Sequence, residues 1–141
     1  MRPGAATSII ILVLAAVFFG FVWPTFRSWS SFDRIEQNAK RRIAARELQA
    51  WATNLMAHSP PGQNRYRIAD LGTNFPKQLL GLWKRPPDVI VYNLGPVKMN
   101  WVRVTWGSAF PGHRGFEIGP TNFTGYYRGH EWSDGVYFWK D

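Results

Sequence analysis

Apolar positions run without a break from Ala5 to Trp23. The stretch AATSIIILVLAAVFFGFVW carries no charge and nothing more polar than Thr7 and Ser8. Its nineteen residues, at about 1.5 Å of rise each, make a helix of roughly 28 Å, close to the hydrocarbon thickness of a bilayer. Apolar side chains cover every side of such a helix, and the 122 residues elsewhere are too few to wrap it as a core element. The run predicts a transmembrane anchor. Pro24 follows and removes a helical hydrogen bond, so a kink or break is expected between Trp23 and Ser31.

Beyond that point the apolar positions take a helical period. Ser30, Ser31, or Asp33 with Glu36 three residues on, offers an N-cap. Phe32, Ile35, Ala39 and Ile43 form one stripe, which drifts into Ala44, Leu48, Trp51, Ala52 and Leu55. Glu36 and Lys40 stand in the favourable i, i+4 order, and Ser59, Pro60, Pro61 and Gly62 stop the helix. The stripe on Leu48, Trp51 and Leu55 is the expected seat of a sheet, with Trp51 in the core. Residues 60–87 read as a basic connecting segment. In it Tyr66 and Ile68 suit a short edge strand, and Asn74, Phe75 and Pro76 open one or two turns of helix pinned by Leu79, Leu80, Leu82 and Trp83.

From Asp88 the period falls to two. Candidate strands cover 89–92, 97–106, 115–119 and 135–140, each bounded by Gly, Pro, Asn or Asp. Connections this short demand antiparallel pairing. In the second run Val102, Val104 and Trp106 share one face, while Val97, Met99 and Trp101 share the other. That pattern predicts a bulge near Asn100 or apolar cover on both sides. The predicted fold class is therefore α+β: an N-terminal transmembrane helix, then an amphipathic helix packed on a small antiparallel sheet of about four strands. Segments 1–29, 30–59, 60–87 and 88–141 follow one another, with 30–141 forming one small domain.

Charge sharpens the picture. The net +8 is not spread evenly. Residues 86–141 hold five bases and five acids, while Arg27 to Glu47 holds six bases against three acids and Arg65 to Arg85 five against one. Positive charge close to the apolar run and neutrality far from it point to a lipid bilayer with anionic headgroups as partner, with no nucleic acid expected. The basic flank after the anchor would, by the positive-inside rule, hold the following domain in the cytoplasm. A short N-terminal tail with only Arg2 has the look of an N-in signal anchor, and an aromatic, proline-rich, cysteine-free domain suits an envelope. The expectation is an extracytoplasmic head. Phe21, Val22, Trp23 and Pro24 are poor residues for signal cleavage, so the anchor is expected to be retained, with Trp23 and Trp29 at headgroup level.

Candidate chemistry is sparse. Without cysteine, thiolate zinc, iron–sulfur clusters and thiol catalysis are excluded. His113 with Glu117, and His130 with Glu131 and Asp134, are the only clusters with acid–base or metal-binding residue types; neither has a ligand spacing such as two histidines one helical turn apart. His58 sits at a helix end. No metal, cofactor or catalytic residue is expected. Asn122, Phe123 and Thr124 form a sequon that matters only in a eukaryotic secretory pathway. Trp101, Arg103 and Trp106 could make a stacking platform, though core packing accounts for them better. The candidate binding surface is the glycine-rich loop 120–135 with Phe123, Tyr126, Tyr127 and Trp132, whose rings either fold back over the sheet or face a partner.

The order of elements, an apolar helix continuing into an amphipathic helix and then a small antiparallel sheet, resembles that of pilins and pseudopilins. The resemblance stops at that order, because the chain has no prepilin cleavage motif and no acid in its apolar stretch. The expected function is that of a single-pass membrane-anchored, non-enzymatic protein whose head acts in envelope assembly or protein–protein contact, with another membrane or envelope protein as partner. The alternative is a membrane-tethered module binding a glycan or nucleic acid through loop 120–135. A hydrolase around His113, Glu117 and His130 is the third reading.

Overall fold

The computed structural model describes residues 3–96, 98–107, 113–126 and 129–140, with side chains described over 8–23 and from 34 onward. The chain divides into two units, one up to Arg34 and one from Ile35 on.

In the first unit the apolar run is helical but not one helix. Helix α1 spans Pro3–Val17, a π-helical turn spans Phe18–Val22, and α2 begins at Trp23 and runs to Arg42. No helix among the described residues is long and apolar enough to cross a membrane by itself. The expected break after Trp23 is displaced. Pro24 lies within the continuous helical run at the start of α2, and the irregularity falls just before it: Trp23 N–H reaches back five residues to Phe18 O, a π-type widening of the kind that accompanies a proline in a helix. Ser30, Ser31 and Asp33 lie inside α2 rather than at its start, because the helix begins two turns before Ser30.

The second unit is α+β, with an open antiparallel sheet of six strands in the order β1-β2-β3-β4-β6-β5. The strands are β1 Gly62–Tyr66, β2 Asp88–Asn93, β3 Trp101–Trp106, β4 Arg114–Ile118, β5 His130–Ser133 and β6 Val136–Lys140. Four of them fall on the expected runs, and the count of about four is too low by the two edge strands. GQNRY and HEWS carry almost no apolar residue in alternation, so neither offers the signal by which a half-buried strand is recognised. Tyr66 closes β1, whereas Ile68 opens a four-residue helix, α4 (Ile68–Leu71). Only one 3-10 turn, Lys77–Leu79, follows Pro76; Leu79 and Leu82 are buried, but Leu80 is exposed.

The helical cover is also two pieces. The chain leaves helical geometry at Ala44 (φ −80°, ψ 144°), and α3 spans Ala45–His58. The drift in the stripe explains the break. Ile35, Ala39 and Ile43 are four apart, but Leu48 comes five after Ile43, which on a continuous helix would turn it about 140° off the stripe. Breaking at Ala44 brings both stripes to the same sheet, and Ile35, Ala39, Ile43, Leu48 and Ala52 are all buried.

Register settles the two faces. On the helix side stand Val89 and Val91, Val102, Val104 and Trp106, Phe116 and Ile118, and Val136 and Phe138, with α3 packed across β2, β3 and β4. The valines, Phe116 and Ile118 are completely buried, each such side chain contributing about 1.5–3 kcal/mol. Helix ends are tied to strands by polar contacts: Asn93 Nδ2 donates to Ser59 O at 2.9 Å, and Tyr66 Oη to Ser59 Oγ at 3.0 Å.

Trp51 stands at the rim of this layer, half-buried and edge-on to Phe75 at 5.6 Å, rather than in the core. Trp51→Ala is therefore expected to cost about 1–2 kcal/mol in a denaturant titration, less than the ~3–5 of a fully buried tryptophan. A loss of the larger size would place it in the core after all.

Strand β3 begins at Trp101, so residues 98–100 of the expected strand lie ahead of it, where Leu94 N–H donates to Asn100 Oδ1 at 2.7 Å, and Val97 lies outside the described residues. Of the two alternatives for its pattern, cover on both faces is what occurs: Trp101, Val102, Arg103 and Val104 are all buried. The irregularity in pairing lies instead between Glu131 and Ser133, where β5 meets β6.

Candidate functional site

Topology places the loop after β4 over the sheet. Because β6 pairs with β4 and β5 lies outside it, the chain leaving Ile118 must step past the position of β6 to reach the edge. It does so across the face away from the helices, where Tyr92, Trp101, Arg103, Glu117, Tyr137 and Trp139 project. Gly119 permits the fold-back, since a Cβ there would lie 2.5 Å from the Phe123 ring, and Phe123 N–H closes the turn on Pro120 O at 2.8 Å.

At the centre is an ion pair. Arg103 donates to Glu117 Oε1 through Nη2 at 2.9 Å and Nε at 3.1 Å. The other carboxylate oxygen, Oε2, accepts the Tyr126 N–H at 2.6 Å. Glu117 is completely buried and Arg103 is 8% exposed. Rings surround the guanidinium, with Tyr92, Trp139 and Tyr126 centred 5.1, 5.4 and 5.8 Å away, a cation–π setting that offsets part of its lost hydration. Trp101 continues the cluster. Tyr92 stacks on it at 4.3 Å and Tyr126 at 5.6 Å, both 13° from parallel, and Phe123 lies against it at 5.8 Å. Tyr126 is the exposed member, with 68% of its surface in solvent.

The four predicted binding residues do not form one surface. Phe123 is buried and Tyr126 exposed on the loop side of the sheet. Trp132 is on the helix side, stacked on Phe138 at 5.2 Å. Tyr127 lies outside the described residues. The platform of Trp101, Arg103 and Trp106 is likewise divided, with Trp106 on the helix side against Phe116 at 5.2 Å.

Acidic and histidine side chains are dispersed too. His113 is exposed just before β4, Glu117 is held by Arg103, and His130 is on the opposite face from Glu117, so these three do not converge. Glu131 points away from His130, accepting the Tyr137 Oη at 3.1 Å; burial and then this bond raise the Tyr137 pKa. His58 Nδ1 lies 2.8 Å from Asn54 O at the end of α3. Among the described residues no group of three His, Asp or Glu is placed to hold a metal ion. An open groove of about 390 Å³ beside α3, lined in part by Ile43, Glu47, Trp51 and Phe75, contains none of the predicted site residues.

His130 has a structural partner instead. Its Nε2 lies 2.7 Å from Glu36 Oε2, while Lys40 Nζ holds Glu36 Oε1 at 2.8 Å and sits 5.4 Å from the Phe138 ring centre. Burial alone would raise the Glu36 pKa, but the hydrogen bonds and charges of Lys40 and His130 outweigh it and hold the carboxyl below its ordinary value. A depressed carboxylate pKa stabilises the fold above the ordinary glutamate value and ceases to do so as pH falls through the folded-state value. Wild type should melt above Glu36→Gln at neutral pH, and the two should converge in acid below the ordinary range. A gap independent of pH would refute this role for Glu36.

Sequence reasoning missed the Arg103–Glu117 pair, although a signal was present. Glu117 stands between Phe116 and Ile118, and Arg103 between Val102 and Val104. A charge in mid-strand of a small apolar sheet requires a partner, and these two are the natural match. Compared with protein-family models, curated proteins and solved structures, the chain matches none.

Proposed function

We propose that this is a membrane-anchored, non-enzymatic protein whose α+β head works through contact with another membrane or envelope protein. One observation carries the anchor. From Ile9 to Trp23 the helical chain presents Ile9, Ile10, Ile11, Leu12, Val13, Leu14, Phe19 and Phe21 with about half or more of each side chain uncovered, a surface that water tolerates poorly and acyl chains accept. The α1, π-turn and α2 segments follow one another without an intervening loop, so their backbone groups can be satisfied internally at membrane depth. Support for the non-catalytic head comes from the site: one oxygen of Glu117 is held by Arg103 of β3 and the other by the Tyr126 N–H of the loop, and the histidines are scattered.

The head is assigned to the extracytoplasmic side. A reporter at the C terminus that is active only outside the cytoplasm should be active, and a cytoplasmic signal would reverse the assignment. Photo-crosslinking from positions on the head in intact membranes should capture another membrane protein; failure to form any adduct from every head position would reject the contact role. The second reading, a tethered glycan- or nucleic-acid-binding module, draws on Tyr126, a flat exposed ring backed by Trp101. It requires Tyr126→Ala to abolish binding while leaving the melting temperature near that of wild type.

A further inference from the structure

The stretch from Leu71 to Pro87 carries Lys77, Lys84 and Arg85 and no acidic residue. Its central turn lifts Leu80 into solvent, 41% exposed, while Leu79 and Leu82 on either side are buried and fix the turn to the core. Three bases come close to that leucine along the chain: Lys77, whose carbonyl accepts the Leu80 N–H at 3.0 Å, and Lys84 and Arg85, both exposed, with Trp83 half-buried beside them. A fourth arrives from elsewhere. Arg42 Nη1 donates to Leu80 O at 3.3 Å, bringing the Lys40, Arg41, Arg42 end of α2 beside the turn.

We propose that this turn, the exposed Leu80 with Arg42 bonded to its carbonyl and Lys77, Lys84 and Arg85 within five residues of it along the chain, is a docking surface for a bilayer containing anionic phospholipid. It rests on the membrane-anchored reading for the lipid it meets. A lone leucine and an indole edge suit the boundary between headgroups and acyl chains, and the long basic side chains reach the phosphates around them. Charge complementarity is one-sided, because residues 86–141 balance to zero. Nucleic acid would use the same cations but would leave Leu80 without a partner, and the rings able to stack on bases, Tyr92, Trp101 and Tyr126, belong to the neutral part of the chain.

The chain has no cysteine, so Leu80→Cys in the full chain gives a single site for an environment-sensitive fluorophore. The labelled chain is reconstituted into vesicles of phosphatidylcholine alone or mixed with phosphatidylglycerol, with Asn122→Cys as a control position. The expected result is a blue-shifted emission at position 80, quenched by spin-labelled lipid, in the anionic vesicles only, and reversed by salt. Replacing Lys77, Lys84 and Arg85 by Gln should lower the docked-to-free ratio roughly a hundredfold. Emission that is equal in the two lipids, or unchanged by those three substitutions, would overturn the proposal, as would a response to RNA oligomers with none to vesicles. The two readings fail separately. A chain that does not float with phosphatidylcholine vesicles lacks the anchor; one that then floats only with anionic vesicles and is stripped by salt keeps the docking surface.

Discussion

Glu117→Leu is expected to destabilise the head by about 3–5 kcal/mol, because it takes the carboxylate away from the buried Arg103 guanidinium. Glu117 is completely buried, and one oxygen also accepts the Tyr126 N–H at 2.6 Å. The substitution therefore removes the charge partner of Arg103 and a tie of loop 120–126 together. Denaturant titration should show the loss as a lower midpoint, and proteolysis should begin in the loop. The double variant Arg103→Leu/Glu117→Leu should be less destabilised than Glu117→Leu, since replacing both partners by apolar groups removes the guanidinium along with the carboxylate that balanced it. If the double variant is the weaker of the two, the pair is not what makes Glu117 indispensable.

The second large effect lies in the apolar run. Ile11→Arg combined with Leu14→Arg places two charges near the middle of the stretch from Ala5 to Trp23, at an insertion cost of about 2.5–3.5 kcal/mol each. The membrane-retained fraction should fall by roughly a thousandfold or more, read as the protein left in the pellet after alkaline extraction. Retention equal to that of wild type would mean that lipid does not contact these residues.

The parts of the fold that were legible in the sequence are those where burial is one-sided. Leu48 and Ala52 on α3, and Val89 and Val91 on β2, alternate or recur as a half-buried element must, and each is in the core. Legibility fails where burial is two-sided or absent. Strand β3 is buried on both faces, which blurs its alternation, and the edge strands β1 and β5 hold no fully buried side chain and so carry no apolar period. The division of the candidate site was hidden for a different reason. Phe123 and Trp132 are nine residues apart in one glycine-rich stretch, yet the order β4-β6-β5 sends one over the sheet and the other beneath it. Strand order is set by contacts among β4, β5 and β6 together, and no local spacing encodes it.

The most direct test is flotation of the wild-type full chain with phosphatidylcholine vesicles after a high-salt and alkaline wash. The chain is expected to stay with the lipid, held by the exposed apolar side chains from Ile9 to Trp23. A chain that leaves the vesicles and remains a soluble monomer in aqueous buffer without detergent would contradict it.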